Sequence, residues 1–283
     1  MRLTTVLDEG RYRPVAVRDD DMVVVIDTRA TGLAGIRALA AGGTTALARL
    51  ESWLERQPAE VGTPLADAIL GPAVPDPGAI YTIGLNYDDP AAPDAERPER
   101  PLVYGKAPSS VAGHGAALTW DRSVTANVDA ECELGVVIGE TAWAVTPGDA
   151  LRHVFGYTII DDVSSRDPWL DGDQWLIGKS MPGFCPVGPW VVTRDAIDPA
   201  DIRLGCTVNG VAIQDDRTAR MRTSIAEVIA YLSRHVELRP GDLIATGTPA
   251  RLTGRYGPER HLQVGDVATA WIEGIGELTT TIR

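Results

Sequence analysis

DAECELGVVIG, residues 129–139, joins an apolar run of Leu134, Val136, Val137 and Ile138 to two glutamates at its leading end. The run has the length and β-branched character of a buried strand. Strand side chains alternate between faces, so extending the strand backwards puts Glu131 and Glu133 on the same face. Two carboxylates then crowd the mouth of an apolar strand, which costs free energy unless positive charge sits between them; a hard cation is the usual solution. Alone, Glu-x-Glu is equally compatible with a solvated strand edge, because Glu is nearly always exposed.

A second apolar strand, FGYTIIDDVSSRD (155–167), ends in Asp161, Asp162, Arg166 and Asp167. Adjacent strand residues face opposite ways, so at most one of Asp161 and Asp162 can join the two glutamates. Aspartates after a strand also suit a plain turn. If one of them does join, three carboxylates without His or Cys suit Mg²⁺, Mn²⁺ or Ca²⁺ rather than zinc.

Outward from these strands, the composition narrows the function. The chain has 283 residues, enough for a substantial core in one large domain or one domain with a small appendage. Its formal charge of −13 repels a phosphate backbone, so nucleic acid is not an expected partner. No apolar run approaches the ~20 residues of a membrane span, and the opening MRLTTVLDEGRYRPVAV lacks the marks of a secretory leader. A cytoplasmic location without membrane association is the expectation. Cys132, Cys185 and Cys206 are scattered, as reduced thiols are, and form neither a disulfide framework nor a thiolate zinc site. Of the 26 basic residues, Lys106 and Lys179 are the two lysines, and each follows a glycine. A chain so poor in Lys is expected to keep it where a compact ammonium matters.

Residues 1 to about 70 read as short strands such as MVVVID followed by a helix, TTALARLESWLER. GPAVPDPG (71–78) then marks a boundary, giving a small N-terminal α+β domain over 1–72 and a β-rich domain over 73–283. Two further helices are expected: one capped by Thr146 with Pro147 at its first position, and one opened by a Ser224/Glu227 capping box. LRPGDLIATG and LQVGDVATAW each place Gly-Asp between apolar runs and read as similar hairpin turns. The stretch GDQWLIGKS misses the phosphate-loop spacing, with five residues between Gly172 and Gly178, so no nucleotide site is expected there.

Taken in order, IGLNY (83–87), ECELGVVIG, GYTIIDDVSSRD, QWLIGKS, FCPVGPWVVT, VNG with Gln214 after it, LRPGDLIATGTP and GDVATAWIEGIGEL resemble the fumarylacetoacetate hydrolase family from Ala79 to the end of the chain. The resemblance implies an α+β fold with a β-rich roll or barrel, a homodimer, and Mg²⁺, or in some members Mn²⁺ or Ca²⁺, on the residues matching Glu131, Glu133 and Asp162. It implies small substrates with a 2-oxo acid or 1,3-dicarbonyl unit. A cation bridging two such oxygens stabilises the enolate formed on C–C cleavage, decarboxylation, dehydration or tautomerisation. Carried over residue by residue, Lys179 matches the family lysine that reaches the substrate, and Arg166 the arginine after the metal-binding aspartate. Tyr87 closes the matching IGLNY motif and is assigned to substrate binding. Gly247 and Thr248 match the loop that meets substrate oxygens.

One segment departs from the pattern. Family members often carry a short helix with a His and a Glu that act on water; here NYDDPAAPDAERPERP puts Pro90 and Pro93 at those positions. Neither transfers a proton, and Asp88 to Pro101 reads as a mobile loop over the site instead. Asp161 stands where the family usually has Asn, and Trp169 and Pro182 replace frequent polar residues. Of the four histidines, His153 and His235 fall on predicted helices and His261 in a Gly/Arg-rich loop. His114, in a glycine-flanked loop before the first carboxylate strand, is the candidate for proton transfer. Three readings stand: a C–C hydrolase or decarboxylase; a lyase, dehydratase, tautomerase or cyclising enzyme without hydrolytic water; and a non-catalytic metal-dependent ligand-binding relative.

Overall fold

A computed structural model describes residues 1–89, 98–167, 174–252 and 261–283. Pro90, Pro93, Trp169 and most of the expected 88–101 loop lie outside the described residues. The apolar strands read from sequence assemble into an eleven-stranded sheet. Its spatial order is Thr63–Pro64, Met22–Val25, Arg11–Val17, Arg2–Asp8, Cys185–Thr193, Val154–Asp161, Cys132–Ile138, Leu243–Ala245, Ile80–Gly84 and Leu102–Lys106, with Val111–Ala112 beside Cys185–Thr193. The N-terminal strands join it by antiparallel pairing of Arg2 with Val192 and Leu3 with Val191. A second sheet of five strands runs Val211–Arg217, Arg203–Val208, Val267–Ile272, Gly276–Ile282, Ala116–Leu118. The fold is therefore α+β and rich in strands, as expected, but its sheets do not close into a barrel. At one end Pro64 lacks the N–H a further strand would need. At the other, Tyr104 stacks on Trp175, ring centroids 4.5 Å apart.

Cys132–Ile138 is buried along its whole length because both faces are covered. Leu134, Val136 and Ile138 pack with Leu204, Cys206 and Leu278 of the second sheet. Val137 faces the other way, into a cluster with Leu39 and Leu50 of the helix Ile36–Glu55. That helix starts earlier than TTALARLESWLER suggests and kinks at Gly43, whose φ of 53° lies outside the helical region. The Val137 face is also the face of Glu133 and Glu131, so the strand delivers its carboxylates from within the packed layer.

The capping box of Ser224 and Glu227 opens the helix Ile225–Ser233 as read. Thr146 differs: its hydroxyl donates to Asp149 Oδ2 at 2.8 Å and caps no backbone N–H, and the helix is a single turn, Pro147–Ala150. The two Gly-Asp segments form the same turn. Asp242 Oδ2 accepts the Arg239 N–H and Asp266 Oδ2 the Gln263 N–H, each at 2.8 Å, three residues back. Gly241 and Gly265 supply the positive φ, 84° and 93°. Neither turn closes a hairpin, since Leu243–Ala245 pairs with Cys132–Ile138 and Ile80–Gly84, and Val267–Ile272 with Arg203–Val208 and Gly276–Ile282.

Gly156, on the strand that leads to Asp162, leaves no room for a side chain: a Cβ would sit 2.3 Å from Val192 O and 2.8 Å from Val191 Cγ1. Gly156→Ala is expected to lower unfolding stability by about 1–3 kcal/mol through overpacking. Gly148→Ala, whose Cβ would meet nothing closer than Thr146 Oγ1 at 3.8 Å, should stay within about 0.5 kcal/mol. Urea midpoints check this, and equal midpoints for the two variants would contradict the packing account.

Candidate active site

Two neighbouring strand ends create the site. Cys132 lies opposite Asp161 in the antiparallel pair, and one step further the Asp162 N–H donates to Glu131 O at 2.9 Å. Cross-strand neighbours share a face, so Asp162 joins Glu131 and Glu133. Asp161 turns to the opposite face and accepts the Glu131 N–H at 2.8 Å. One oxygen from each of Glu131, Glu133 and Asp162 lies within 4.8 Å of the others, although Glu133 and Asp162 are only 2% and 1% exposed.

Both lysines converge on this set. Lys179 Nζ donates to Asp162 Oδ2 at 2.6 Å, Ser164 Oγ at 2.7 Å and Glu131 Oε2 at 3.2 Å. Lys106 Nζ takes the other oxygen of Asp162 at 2.6 Å and Val163 O at 3.0 Å. Arg166 pairs with Glu131 through Nη2 and with Asp129 Oδ2 through Nε at 3.2 Å. Glu133 has the Gly247 N–H at 2.8 Å and, among the described residues, no ion-pair partner.

The electrostatics follow from that uneven distribution. Burial pushes the Glu131 carboxyl up, but Arg166 and Lys179 outweigh it and bring it down to about 2. Burial, then Asp162 and Glu131, push Glu133 well above the usual carboxylate range. Burial also opposes charge on Lys179, yet Asp162 and Glu131 hold its ammonium above the ordinary lysine range. Asp161, on the far face, is pushed up to about 7, mainly by burial. Glu133, which has no ion-pair partner among the described residues, is thus the carboxyl that burial and its two acidic neighbours hold toward the neutral form, beside two carboxylates whose oxygens converge. Such an all-oxygen donor set lacking one positive partner fits a hard divalent cation.

The triad opens into a cavity of about 440 Å³ that Tyr87, Arg166, Lys179 and Thr248 also line. Its apolar wall includes Ile83, Leu102, Tyr104 and Trp175. Asn86 positions Tyr87 by donating to Thr246 O at 2.7 Å and Thr223 O at 3.0 Å. Gly247 sits against this loop with φ 99°, and a Cβ there would lie 2.6 Å from Asn86 Cβ. Its amide is directed at Glu133, while the Thr248 hydroxyl donates to Cys132 O at 2.9 Å and accepts from Gln214 Nε2 at 2.7 Å.

His114 is not brought to this cavity. Its Nδ1 accepts the Thr279 N–H at 3.4 Å in the second sheet, and burial lowers its pKa. The segment after it, Ala116–Leu118, runs parallel to Gly276–Ile282 and carries the imidazole away from the carboxylates. Conversely, three groups around the carboxylates went unassigned by the sequence reading. Lys106 was signalled by lysine scarcity, and Asp129 by the two-residue alternation Asp129, Glu131, Glu133. Arg251, which pairs with Asp129 Oδ1 at 2.7 Å, carried no local signal.

A family model, Fumarylacetoacetate (FAA) hydrolase C-terminal, matches residues 79–283. A fumarylacetoacetate hydrolase from psychrophilic Exiguobacterium antarcticum aligns with a TM-score of 0.86 and 33% identity, over 100% of this chain and 99% of that one. A maleylpyruvate hydrolase from Sphingobium sp. SYK-6, solved in complex with manganese(II) ion and pyruvate, aligns at 0.82 and 28%, covering 100% and 98%. A 5-carboxymethyl-2-hydroxymuconate delta-isomerase from Mycobacterium smegmatis aligns at 0.77 and 28%, covering 100% and 99%. No helix among the described residues is long and apolar enough to cross a membrane.

Calorimetric titration with Mg²⁺ and with Mn²⁺ tests the donor set. Glu131→Ala and Glu133→Gln are each expected to lose most of the affinity, because each removes one of three charged ligands. A Glu131→Ala protein that bound Mg²⁺ as tightly as the unchanged protein would end the assignment.

Proposed function

Because the chain belongs to the fumarylacetoacetate hydrolase family, we propose that it is a metal-dependent enzyme acting on a small 2-oxo acid or 1,3-dicarbonyl compound by way of an enolate. The convergence of Glu131, Glu133 and Asp162 beside Lys179 in one cavity carries the reading. Glu131, Glu133 and Asp162 would hold Mg²⁺ or Mn²⁺, with Ca²⁺ a further fit, and the ion would supply positive charge where an enolate develops. The manganese and pyruvate held by the maleylpyruvate hydrolase support both the ion class and the oxo-acid class.

The chain's own residues do the rest. Lys179 is kept cationic by its carboxylate neighbours, so it serves as a hydrogen-bond donor to a developing oxyanion and not as a base. Arg166 orients Glu131 and adds a second cation to the wall. Tyr87 and Thr248 line the cavity where the substrate would lie, and Gly247, next to Thr248, gives its amide to Glu133. Trp175 and Tyr104, stacked on one another, exclude water from the approach to Lys179. The family match begins at Ala79, near the proposed boundary between 1–72 and 73–283, and the strands of the first part continue the sheet of the second; a homodimer belongs to the same reading.

Within it, chemistry that needs no hydrolytic water is favoured: lyase, decarboxylase or tautomerase activity over acylpyruvate hydrolysis. Pro90 and Pro93 stand where the resemblance expects the water-activating His and Glu, and no histidine lines the cavity among the described residues. His261 lies behind Asp129, its Nδ1 2.9 Å from Oδ1. A positioned base is worth about 10²- to 10⁴-fold in rate, so its loss weighs on hydrolysis first.

With Mg²⁺ present, oxaloacetate decarboxylation or tautomerisation should exceed acylpyruvate cleavage, and Lys179→Met should lower kcat by about 10²- to 10³-fold, as loss of an oxyanion donor does. Brisk acylpyruvate hydrolysis that survived Lys179→Met would sink both the preference and the lysine's role.

A further inference from the structure

The chemistry above leaves Asp129 without a task. It is 5% exposed, and a carboxylate is buried at high cost unless its charge is matched. Here the match is generous. Arg251 Nη2 lies 2.7 Å from Oδ1, and His261 Nδ1 lies 2.9 Å from the same oxygen. Oδ2 accepts from Arg166 Nε at 3.2 Å. Three donors take up most of the roughly four acceptor directions of a carboxylate, which sets Asp129 apart from Glu133 as a ligand for an ion.

Arg166 connects Asp129 to the converging carboxylates. Its Nε bonds Asp129 Oδ2 and its Nη2 bonds Glu131 Oε1. A guanidinium is a rigid planar fork, so fixing Nε fixes the direction of Nη2. The backbone beneath is fixed too: the Arg166 N–H donates to Asn127 O at 2.6 Å, next to the pairing of Ser164 with Asp129 and Ser165 with Val128. Asp129 is held from the other side by Arg251 and His261, and the Leu262 N–H donates to Val128 O at 2.8 Å. Glu131 stands at the end of this chain of contacts. With Oε1 turned to Arg166, its Oε2 is the oxygen that meets Ser164 Oγ at 3.1 Å and Lys179 Nζ at 3.2 Å, the two groups that also bond Asp162.

We propose that Asp129 is a positioning residue for the ion site: it holds Arg166, and through Arg166 it sets the orientation of Glu131 that presents Oε2 toward Asp162. The assignment rests on the donor set of Glu131, Glu133 and Asp162 proposed above, and adds to it a residue that acts only through another. Groups that orient a ligand from behind are typically worth about 10- to 100-fold in metal affinity. A negative charge at Asp129 would also favour a cation through space, without any contact geometry, and the test separates the two effects.

Mg²⁺ is titrated by calorimetry into the full-length protein and into Asp129→Asn, Arg166→Met and the double variant, with urea midpoints to show that each is folded. Asp129→Asn should weaken Mg²⁺ binding by about 10- to 100-fold. In the Arg166→Met background the same substitution should cost less than about threefold, because the contact through which it acts is already gone. Asp129→Glu keeps the charge and displaces the carboxylate by one carbon. It should weaken binding by about 10-fold when Arg166 is present and by less than about threefold when it is not, and it carries the test if the Asn variant fails to fold. No loss on Asp129→Asn, equal losses in the two backgrounds, or an Asp129→Glu protein that binds Mg²⁺ as tightly as the unchanged one overturns the positioning role and leaves the donor set standing. An unchanged protein that fails to bind Mg²⁺ overturns both.

Discussion

Like charge gathered inside the protein is the constraint on which the rest of the site depends. Carboxylate oxygens within 4.8 Å repel one another by roughly 3 kcal/mol per pair at the effective dielectric that suits protein sites. A fold that holds three of them must supply compensation at fixed positions. Asp162 is gripped by one lysine on each oxygen, and Glu131 by Lys179 and Arg166. Each lysine has its own support. Val163 O and Asp162 hold Lys106, while Ser164 and the ring of Trp175, 5.8 Å from Nζ, hold Lys179. Of a total of 26 basic residues, the two that are lysine both sit here, where a compact ammonium fits beside a single oxygen better than a planar guanidinium would.

That constraint also explains which parts were legible in the sequence. Strand alternation is a local property, so the shared face of Glu131 and Glu133, and the exclusion of either Asp161 or Asp162, could be read before any fold was known. The choice of Asp162 needed the cross-strand register, which the family resemblance supplied. Lys179 stood out by scarcity and motif. Lys106 was equally scarce, but its partner is 56 residues away, a contact no local pattern encodes. Arg251 and His261 meet Asp129 across more than 120 residues and were invisible for the same reason. His114 shows the converse error: closeness along the chain to the first carboxylate strand was taken for closeness in space, whereas its own segment pairs with the second sheet.

Turn chemistry was legible in kind and not in consequence. The two Gly-Asp segments share one hydrogen-bond pattern, because an Asp side chain reaching back three residues needs only its local sequence. What the turn connects is set by long-range pairing, and neither forms the hairpin its sequence suggested. The expected barrel fails likewise: alternation and length identify strands, but closure depends on how the edge strands pair, and here the order runs open from Thr63–Pro64 to Leu102–Lys106.

The same geometry couples charge to chemistry. In the arrangement described, Lys179 Nζ bonds Asp162 and Glu131 directly, which are two of the three residues that would hold a cation. Glu131 and Asp162, which would help hold a cation, are carboxylates that Lys179 also bonds, and each carboxylate has a limited number of acceptor directions. Lys106 and Arg166 bond the other oxygens of those residues, Asp162 Oδ1 and Glu131 Oε1. Lys179, like Arg166, lines the cavity. On the proposed reading the Lys179 ammonium would donate to an oxygen held in the cavity that it lines. One lysine would then both neutralise a buried acidic cluster and donate to an oxyanion. Its burial and its triple hydrogen bonding, at the end of the short helix Trp175–Gly178, fit the first of these.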